Sequence, residues 1–587
     1  MSSRVIKKYS YSDIVSFSNE AIGERGSGKK TYKIGFLRSF SVEVMEPLLK
    51  GLTTFERFNL EYKYSNFNNI LQDSFNLEKL FSGDLDLLIV VWRKEDIGYG
   101  SGGENNQKES SAEEGESLGM SGYISTTLEN LSGYLKNNPS VKSVVHTFLE
   151  RADEQNENDI SEANRLIVEF CESNDNAFLF EIDEIQKMLG DKNVFSSKME
   201  NIAKFPFSRE AAVLIAKRYV AVMRFLFGYQ IKCLSIDLDN TVWNGILGED
   251  GDEYVHDSLK THSGYRHLWE FMDSLSKKGI ILAINSKNNR EDVEGLFQKY
   301  EMPLKLEDFI VRKINWQPKS QNLKEMAEEL NIGFESIIHL DDSEFECEEI
   351  IAGAPGATVV LVAEDDPYDS VKLMEEYGFF HMMNQTGEDS ARVESYKAER
   401  IRKNEQSKYT DIDSFIKSLS LNVKIQKVTE KELDRVSQLF LKTNQFNMTT
   451  KRYSKGELRE FIGDDSHKLY CFSLMDKFGD YGIIGSYLIR VTGEDWHIDS
   501  FLMSCRAIGR KVEYELLNYI VSNALKDNTN KIIAYFNKTK KNEFLENFYP
   551  EEGFQQGDRD DETMKYEILS EDYKARYKDL IELVESE

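Results

Sequence analysis

The sequence predicts an α/β protein of three domains, the central one built on a parallel, doubly wound sheet. Three observations point there. A chain of 587 residues exceeds what one hydrophobic core serves, and its 40% hydrophobic content can fill several. Between Cys233 and Leu340, apolar runs of strand length alternate with patterns of helical length, the signature of βαβ units. The stretches before and after that region carry strand and helix patterns of their own.

In the first domain, 1–228, a polar leader precedes a strand at Lys33 to Phe40, a helix through Met45 to Leu52 and a buried strand at Leu85 to Trp92. Gly98 to Gly122 is too poor in apolar residues to repay its ordering entropy and reads as a mobile loop. A helix over Ser208 to Phe227 closes this domain. The second domain, 229–387, alternates strands at Cys233 to Leu238, Ile280 to Ile284, Phe309 to Ile314 and Ile337 to Leu340 with helices at His262 to Ser276, Arg290 to Tyr300 and Gln321 to Leu330. A charged linking helix is expected within 388–420. The third domain, 421–587, shows strands at Val423 to Val428, Leu469 to Leu474, Ile483 to Val491 and Lys531 to Phe536, with a helix at Gly509 to Ala524. Its last residues, Ser570 to Glu587, read as a charged surface helix.

Composition narrows the function. With 73 basic against 102 acidic side chains the net charge is −29, which repels nucleic-acid backbones and anionic membrane surfaces. The five cysteines, Cys171, Cys233, Cys347, Cys471 and Cys505, form no CxxC pair, so neither a disulfide framework nor a structural zinc site is indicated. Without an apolar run of spanning or signal-peptide type, the expectation is a cytoplasmic protein with reduced thiols.

The central domain carries the chemistry. In Asp237-Leu238-Asp239-Asn240-Thr241 two carboxylates one residue apart follow an apolar strand and project to one side of it. At the C-terminal edge of a parallel sheet such a pair is a hard-oxygen site suited to magnesium. Taken alone, a DxDxT run is equally a capped turn. Ser286 follows the strand ending at Ile284, Lys319 opens a helix after Pro318, and Asp341-Asp342 ends the strand Ile337 to Leu340. All reach the same sheet edge. A hydroxyl and an ammonium group hold phosphoryl oxygens, and two further carboxylates complete a metal shell, so the set forms one phosphoryl-transfer site.

These residues resemble the four motifs of the haloacid-dehalogenase (HAD) superfamily. That resemblance implies Asp237 as nucleophile, Asp239 as general acid/base, and Thr241, Ser286 and Lys319 on the phosphoryl group. It implies Asp237, Asp239, Asp341 and Asp342 around Mg2+. Forty-nine positions separate Asp237 from Ser286, which leaves no room for a large cap, so a capless Rossmann-like sheet with a macromolecular substrate or a borrowed lid is expected.

A narrower likeness lies in KCLSIDLDNTVWNGILGEDG (232–251), SKNN (286–289), INWQPKS (314–320) and HLDDSEFE (339–346). With KFPFS (204–208), KTNQFNMTTKRYS (442–454) and SFLMSCRAIGRKVE (500–513), these resemble the FkbH-like family over nearly the whole chain. The resemblance implies an enzyme that takes 1,3-bisphosphoglycerate, removes phosphate and passes a glyceryl unit to the phosphopantetheine thiol of an acyl carrier protein, in polyketide-type biosynthesis. One position departs. Asn285 stands where the family carries a cysteine before the serine, and an amide cannot hold an acyl group as a thioester. Either the carrier thiol attacks directly, another cysteine such as Cys505 serves, or the acyl donor differs.

The first domain resembles the SGNH-hydrolase-like module of that family but shows no GDS motif, with Ser39 either a remnant or a helix cap. The third resembles a GNAT-like α+β acyltransferase fold. There Arg506, Gly509, Arg510 and Lys511 partly fit the pattern that cradles a pantetheine pyrophosphate. Lys451, Arg452, Arg506, Arg510 and Lys511 are candidates for a basic surface facing an acidic carrier, with ordinary solvated charge as the alternative. A plain phosphatase and a non-catalytic docking protein are the competing readings.

Overall fold

Runs such as Leu87–Val91 (LLIVV) and Cys233–Ile236 (CLSI) are apolar on both faces, and in the computed structural model every residue of both is buried within a parallel sheet. The structure describes residues 5–21, 29–81, 85–97, 119–149, 157–363, 366–380, 402, 405, 409, 411–443, 445–504, 507–560, 563–577 and 580–585. The chain divides into two compact units, Met1–Ser390 and Ala391–Glu587.

The first unit holds two five-stranded, all-parallel sheets. One runs Phe58–Tyr64, Lys30–Arg38, Leu87–Val91, Lys142–His146, Ala177–Phe180. The other runs Thr358–Leu361, Ile337–Asp341, Cys233–Ile236, Ile281–Ser286, Phe309–Ile314. In both, chain order reverses beside the first-laid strand, the position at which sheets of this kind bind ligands beyond the carboxyl ends of their strands.

The two sheets share one core, with Ile34, Phe36 and Ile89 of the first in the same apolar cluster as Leu234, Ile236 and Ile284 of the second. The helix Arg209–Leu226 explains how. It is capped by Ser208, whose hydroxyl accepts from the Ala211 amide, and it is buried nearly all round, as a helix between layers must be. Two of its cations are buried with it. Lys217 pairs with Glu376 at 2.7 Å, and Arg224 pairs with Glu56 at 2.5 Å while donating to the carbonyls of Tyr377 and Gly378.

The expected polar leader has a structural task. Ile6 is 1% exposed and pairs with Val360, extending the second sheet by one bridge at its edge. The loop expected over Gly98 to Gly122 falls outside the described residues up to 118. Its last residues belong to the helix Met120–Asn137.

In the second unit one mixed sheet runs Gln555–Asp560, Thr563–Leu569, Lys531–Asn537, Asp495–Met503, Gly479–Thr492, His467–Asp476, Asn422–Lys427, Glu582–Glu585. The helix Val512–Lys526 covers one face, packing Leu516 and Leu517 against Ile498, Ala534 and Tyr566. Helices Glu430–Lys442 and Lys455–Ile462 cover part of the other, over Cys471, Leu488 and Leu502. The helix Ile412–Leu419 contributes Phe415, Ile416 and Leu419 to this unit's core. Most of the linking stretch expected before it lies outside the described residues. Arg402, helical, forms a buried bidentate pair with Asp476.

The expected C-terminal surface helix is not what forms. Ser570–Asp572 is a 3-10 turn, and Glu582–Glu585 is a strand lying parallel to Asn422–Lys427. Two facts outweigh the charge pattern: an edge strand offers unpaired backbone groups, and Ile581, 7% exposed, seats the segment in the core.

Removing one partner of a buried pair strands the other charge. Arg224→Ala is therefore expected to destabilise the first unit by about 3 kcal/mol, read as a shift in urea midpoint. A change below about 0.5 kcal/mol, the range of ordinary surface substitutions, would mean that water compensates Glu56.

Candidate phosphoryl-transfer site

The strand Cys233–Ile236 ends one residue before Asp237, whose backbone amide still donates to the Leu340 carbonyl of the neighbouring strand at 2.9 Å. That bond fixes the Asp237 side chain at the C-terminal edge of the sheet. Ser286 is the last residue of the adjacent strand Ile281–Ser286, and Asp341 the last of Ile337–Asp341 on the other side. Lys319 is the first residue of the helix Lys319–Leu330, following Pro318 where a missing amide costs nothing. Thus three neighbouring strands and one helix start converge.

The Lys319 ammonium lies 2.9 Å from Asp237 Oδ1 and 2.6 Å from Asp341 Oδ2, itself only 3% exposed. The Ser286 side chain is near enough to Asp237 to favour its charged form. Behind Asp341, His339 Nε2 lies 2.9 Å from Oδ2, and the Ser343 amide donates to Oδ1 at 3.1 Å. With Nε2 donating to Asp341, His339 Nδ1 accepts from the Ser235 hydroxyl at 3.0 Å.

The carboxylates titrate differently for physical reasons. Burial pushes Asp237 up, and the adjacent Asp341 charge adds to that against the pull of Lys319. Burial would raise Asp341 too, but the hydrogen bond from His339 and the Lys319 charge outweigh it and hold Asp341 at about 2. Asp342 has no cation in ion-pair contact among the described residues and is pushed up to about 6 by burial and by Asp237 and Asp341.

Asp237, Asp341 and Asp342 each offer a carboxylate oxygen, all within 4.8 Å of one another. Three carboxylates facing one ammonium leave a local excess of negative charge, and hard oxygen donors suit a small divalent cation. The donor set fits such an ion.

Asp239, expected as a fourth metal carboxylate, is not in that group. Its Oδ1 accepts from Trp243 Nε1 at 3.0 Å and from the Leu247 amide at 3.1 Å, and its Oδ2 from Asn288 Nδ2 at 2.9 Å. Burial raises its pKa. The turn that aims it depends on Asn240, whose φ of 53° is a left-handed conformation that asparagine tolerates. Thr241, expected on the phosphoryl group, is fully buried with its hydroxyl 3.3 Å from Asp342 Oδ1.

The interval between Asp237 and Ser286 holds more than the one helix expected. Leu247–Asp250 and Asp252–Thr261 precede Ser263–Lys277 and form a small helical flap, too short to be a cap domain.

Strand alternation sends Asn285 away from Ser286. Its Nδ2 donates to the Lys319 carbonyl at 3.0 Å, its Oδ1 accepts from Asn322 Nδ2 at 3.0 Å, and Asn322 is tied to Asn315. This buried amide cluster anchors the first turn of the Lys319 helix.

His339, Asn288 and Asn322 have roles that were not anticipated. A signal existed for His339, because it stands two positions before Asp341 in a strand and shares its face.

The basic residues expected to form one surface are mostly spent on their own chain. Arg452 donates to the carbonyls of Phe440 and Thr443 at 2.5 and 2.7 Å, and Lys511 pairs with Asp413 beneath the Tyr577 ring. Arg510 lies over the Tyr481 ring, and Lys451 pairs with Asp499. Gly509 has a φ of 81° and Lys511 one of 60° at the N-cap of Val512–Lys526. Arg506 and Cys505 lie outside the described residues.

If Lys319 neutralises two buried carboxylates, Lys319→Met should cost about 3–5 kcal/mol at neutral pH. Stripped of that cation, Asp237, already raised by burial and by the Asp341 charge, has a folded-state pKa further above its unfolded one. Such groups bind more protons folded than unfolded, so their penalty shrinks as pH falls. The deficit against wild type in urea unfolding should therefore be smaller at pH 5 than at pH 7. A deficit independent of pH would contradict this arrangement.

No protein-family model and no curated protein sequence matches the chain. Among solved structures, it is similar to the N-terminal part of protein BF1531 from Bacteroides fragilis, which contains a phosphatase domain and was crystallised with Mg. The two are 20% identical, with a TM-score of 0.51, over 64% of this chain and 100% of that one. A quarter of the chain also aligns with the ribosomal-protein-S18-alanine N-acetyltransferase of Escherichia coli, at 9% identity and 93% of that chain. The same share aligns with the PaiA N-acetyltransferase of Thermoplasma acidophilum in complex with coenzyme A, at 14% identity and 99% of that chain. The TM-score of 0.21 in both cases is too low to establish a common fold. The first comparison does establish one: this chain shares the fold of a phosphatase-containing protein.

Proposed function

We propose that the chain is a magnesium-dependent, HAD-type phosphoryl-transfer enzyme, carried by one observation: Lys319 bridges Asp237 and Asp341 at the edge where Ser286 and Asp342 also converge. The Asp237 carboxylate attacks phosphorus, the bond from phosphorus to the leaving oxygen breaks, and an aspartyl-phosphate forms. Lys319 and Ser286 hold that carboxylate in place and face the phosphoryl oxygens. Asp239, oriented by Trp243, Leu247 and Asn288, gives a proton to the leaving oxygen and takes one from the water that later hydrolyses the aspartyl-phosphate. Asp237, Asp341 and Asp342 would hold a magnesium ion, which when bound would supply the positive charge that lets two anions approach.

For the substrate, we infer an acyl phosphate such as 1,3-bisphosphoglycerate: the phosphopantetheine thiol of an acyl carrier protein attacks its acyl carbonyl, the bond to the acyl phosphate breaks and inorganic phosphate leaves, while the Asp237 chemistry removes the phosphate ester of the glyceryl unit. The family-like motifs on both sides of the core support this. So do Trp316, on the loop after Phe309–Ile314, and Phe345, in the first turn of the helix Glu344–Gly353, which are 73% and 75% exposed beyond the same sheet edge and offer apolar surface to a protein-borne substrate. In this reading the second unit is the GNAT-like module that accommodates the pantetheine arm. Asn285 favours the plainer alternative of a phosphatase, since it is spent on the Lys319 helix and offers no thiol.

Asp237→Asn, nearly isosteric, should lower phosphate release at least about a hundredfold while the melting temperature stays near wild type. Chelating magnesium should have the same effect. Release at the wild-type rate in the variant would remove Asp237 from its role. The substrate reading is separate: with magnesium and 1,3-bisphosphoglycerate, a holo carrier should gain a glyceryl mass that an apo carrier does not. An unchanged holo carrier with phosphate still released leaves the phosphatase.

A further inference from the structure

On the face of the second unit's sheet away from the Val512–Lys526 helix lies a cavity of about 370 Å³, within the range of small-molecule sites. Strand alternation builds it. His497 and Tyr535 point outward between Ile498, Ala534 and Phe536, which enter the core, and Lys565 stands between the core-packed Met564 and Tyr566. Arg490 comes from the neighbouring strand, and Lys451 from the segment before the Lys455–Ile462 helix.

Its charge is the informative feature. Three cations, Lys451, Arg490 and Lys565, face one carboxylate, Asp499. That carboxylate is committed to Lys451 and to the Tyr453 hydroxyl, which donates at 2.7 Å. Lys565 reaches Glu567 only at 3.5 Å, and Glu567 is shared with Lys531 at 3.2 Å. Arg490 donates to the Thr492 hydroxyl at 3.4 Å and has no carboxylate at ion-pair distance among the described residues.

On a chain with 102 acidic side chains against 73 basic ones, cations are generally claimed by nearby acids, as Lys511 is by Asp413. Gathering three into one concavity costs repulsion that an anionic occupant relieves. The polar wall matches: His497 Nδ1 and the Tyr535 hydroxyl are 2.8 Å apart and present a hydrogen-bonding edge beside the cations. Burial, followed by the charge of Arg490, lowers the His497 pKa, so the ring meets a ligand as a neutral donor or acceptor.

We propose that this cavity binds a small metabolite through a phosphate or carboxylate group held by Arg490 and Lys565, with His497 and Tyr535 contacting its polar body. None of these residues belongs to the phosphoryl-transfer site, so the proposal stands independently of the reading given to that site.

Isothermal titration of the full chain, with inorganic phosphate in one arm and malonate in the other, tests it. Arg490 and Lys565 lie at the surface, so the double variant R490Q/K565Q should fold, which a thermal melt checks. It should lose at least about tenfold in affinity for one of the anions, the effect of losing a charge-assisted contact. A control, K187Q/K277Q, removes two exposed charges from the first unit and should bind as wild type. Phosphate bound also at Asp237 and Lys319 appears as a second site unaffected by R490Q/K565Q. A loss confined to phosphate assigns a phosphorylated ligand; a loss confined to malonate assigns a carboxylate. Wild-type binding of both anions by R490Q/K565Q, equal losses in the control, or no binding of either anion to the wild type at millimolar concentration would overturn the proposal.

Discussion

A single ammonium group sets the terms of the first unit's active edge. Lys319 is buried between Asp237 and Asp341, and without it two carboxylates at the end of neighbouring strands would repel each other in a medium that screens little. Everything nearby serves to keep that ammonium in place. Asn285, Asn315 and Asn322 pin the first turn of its helix, and Ser235 and His339 orient Asp341 toward it. At Asp342 burial and the charges of Asp237 and Asp341 outweigh the pull of that ammonium, and the excess of negative charge makes the site receptive to a divalent cation.

How much of this was legible in sequence follows the range of the interactions. The parallel strands of the second sheet were visible because burial on both faces writes itself as apolar runs, and Phe309–Ile314 matches residue for residue. The positions of Asp237, Ser286 and Asp341 were legible because each sits at the end of such a run, and that of Lys319 because it opens a helix after Pro318. What escaped depends on side-chain direction. That Asp239 turns to Trp243, Leu247 and Asn288, and that Thr241 faces Asp342, is decided by a left-handed residue at Asn240 and by a flap with no strong pattern of its own.

The same distinction explains the misread termini and cations. Glu582–Glu585 looks helical by composition, yet it is captured by an edge strand more than 150 positions earlier, and no local pattern records that. Basic residues grouped in sequence suggest a surface, but in an acid-rich chain Arg452 and Lys511 find local acceptors of their own, so the group disperses. The cations that do converge, Lys451, Arg490 and Lys565, come from three separate segments and share no motif.

The bridge between Ile6 and Val360 bears on how the first unit assembles during synthesis. Residues made first become the edge of a sheet whose partner strand is made some 350 residues later, a contact of very high sequence separation whose loop-closure entropy is paid late. Once that strand is made, and until Ile6 docks on it, the Val359 carbonyl and the Leu361 amide are bare at a sheet edge, where another chain can pair. The segment at Val5 and Ile6 thus acts as an edge guard, and a fragment beginning near residue 228 would hold the catalytic strands but lack their protection against edge-to-edge association.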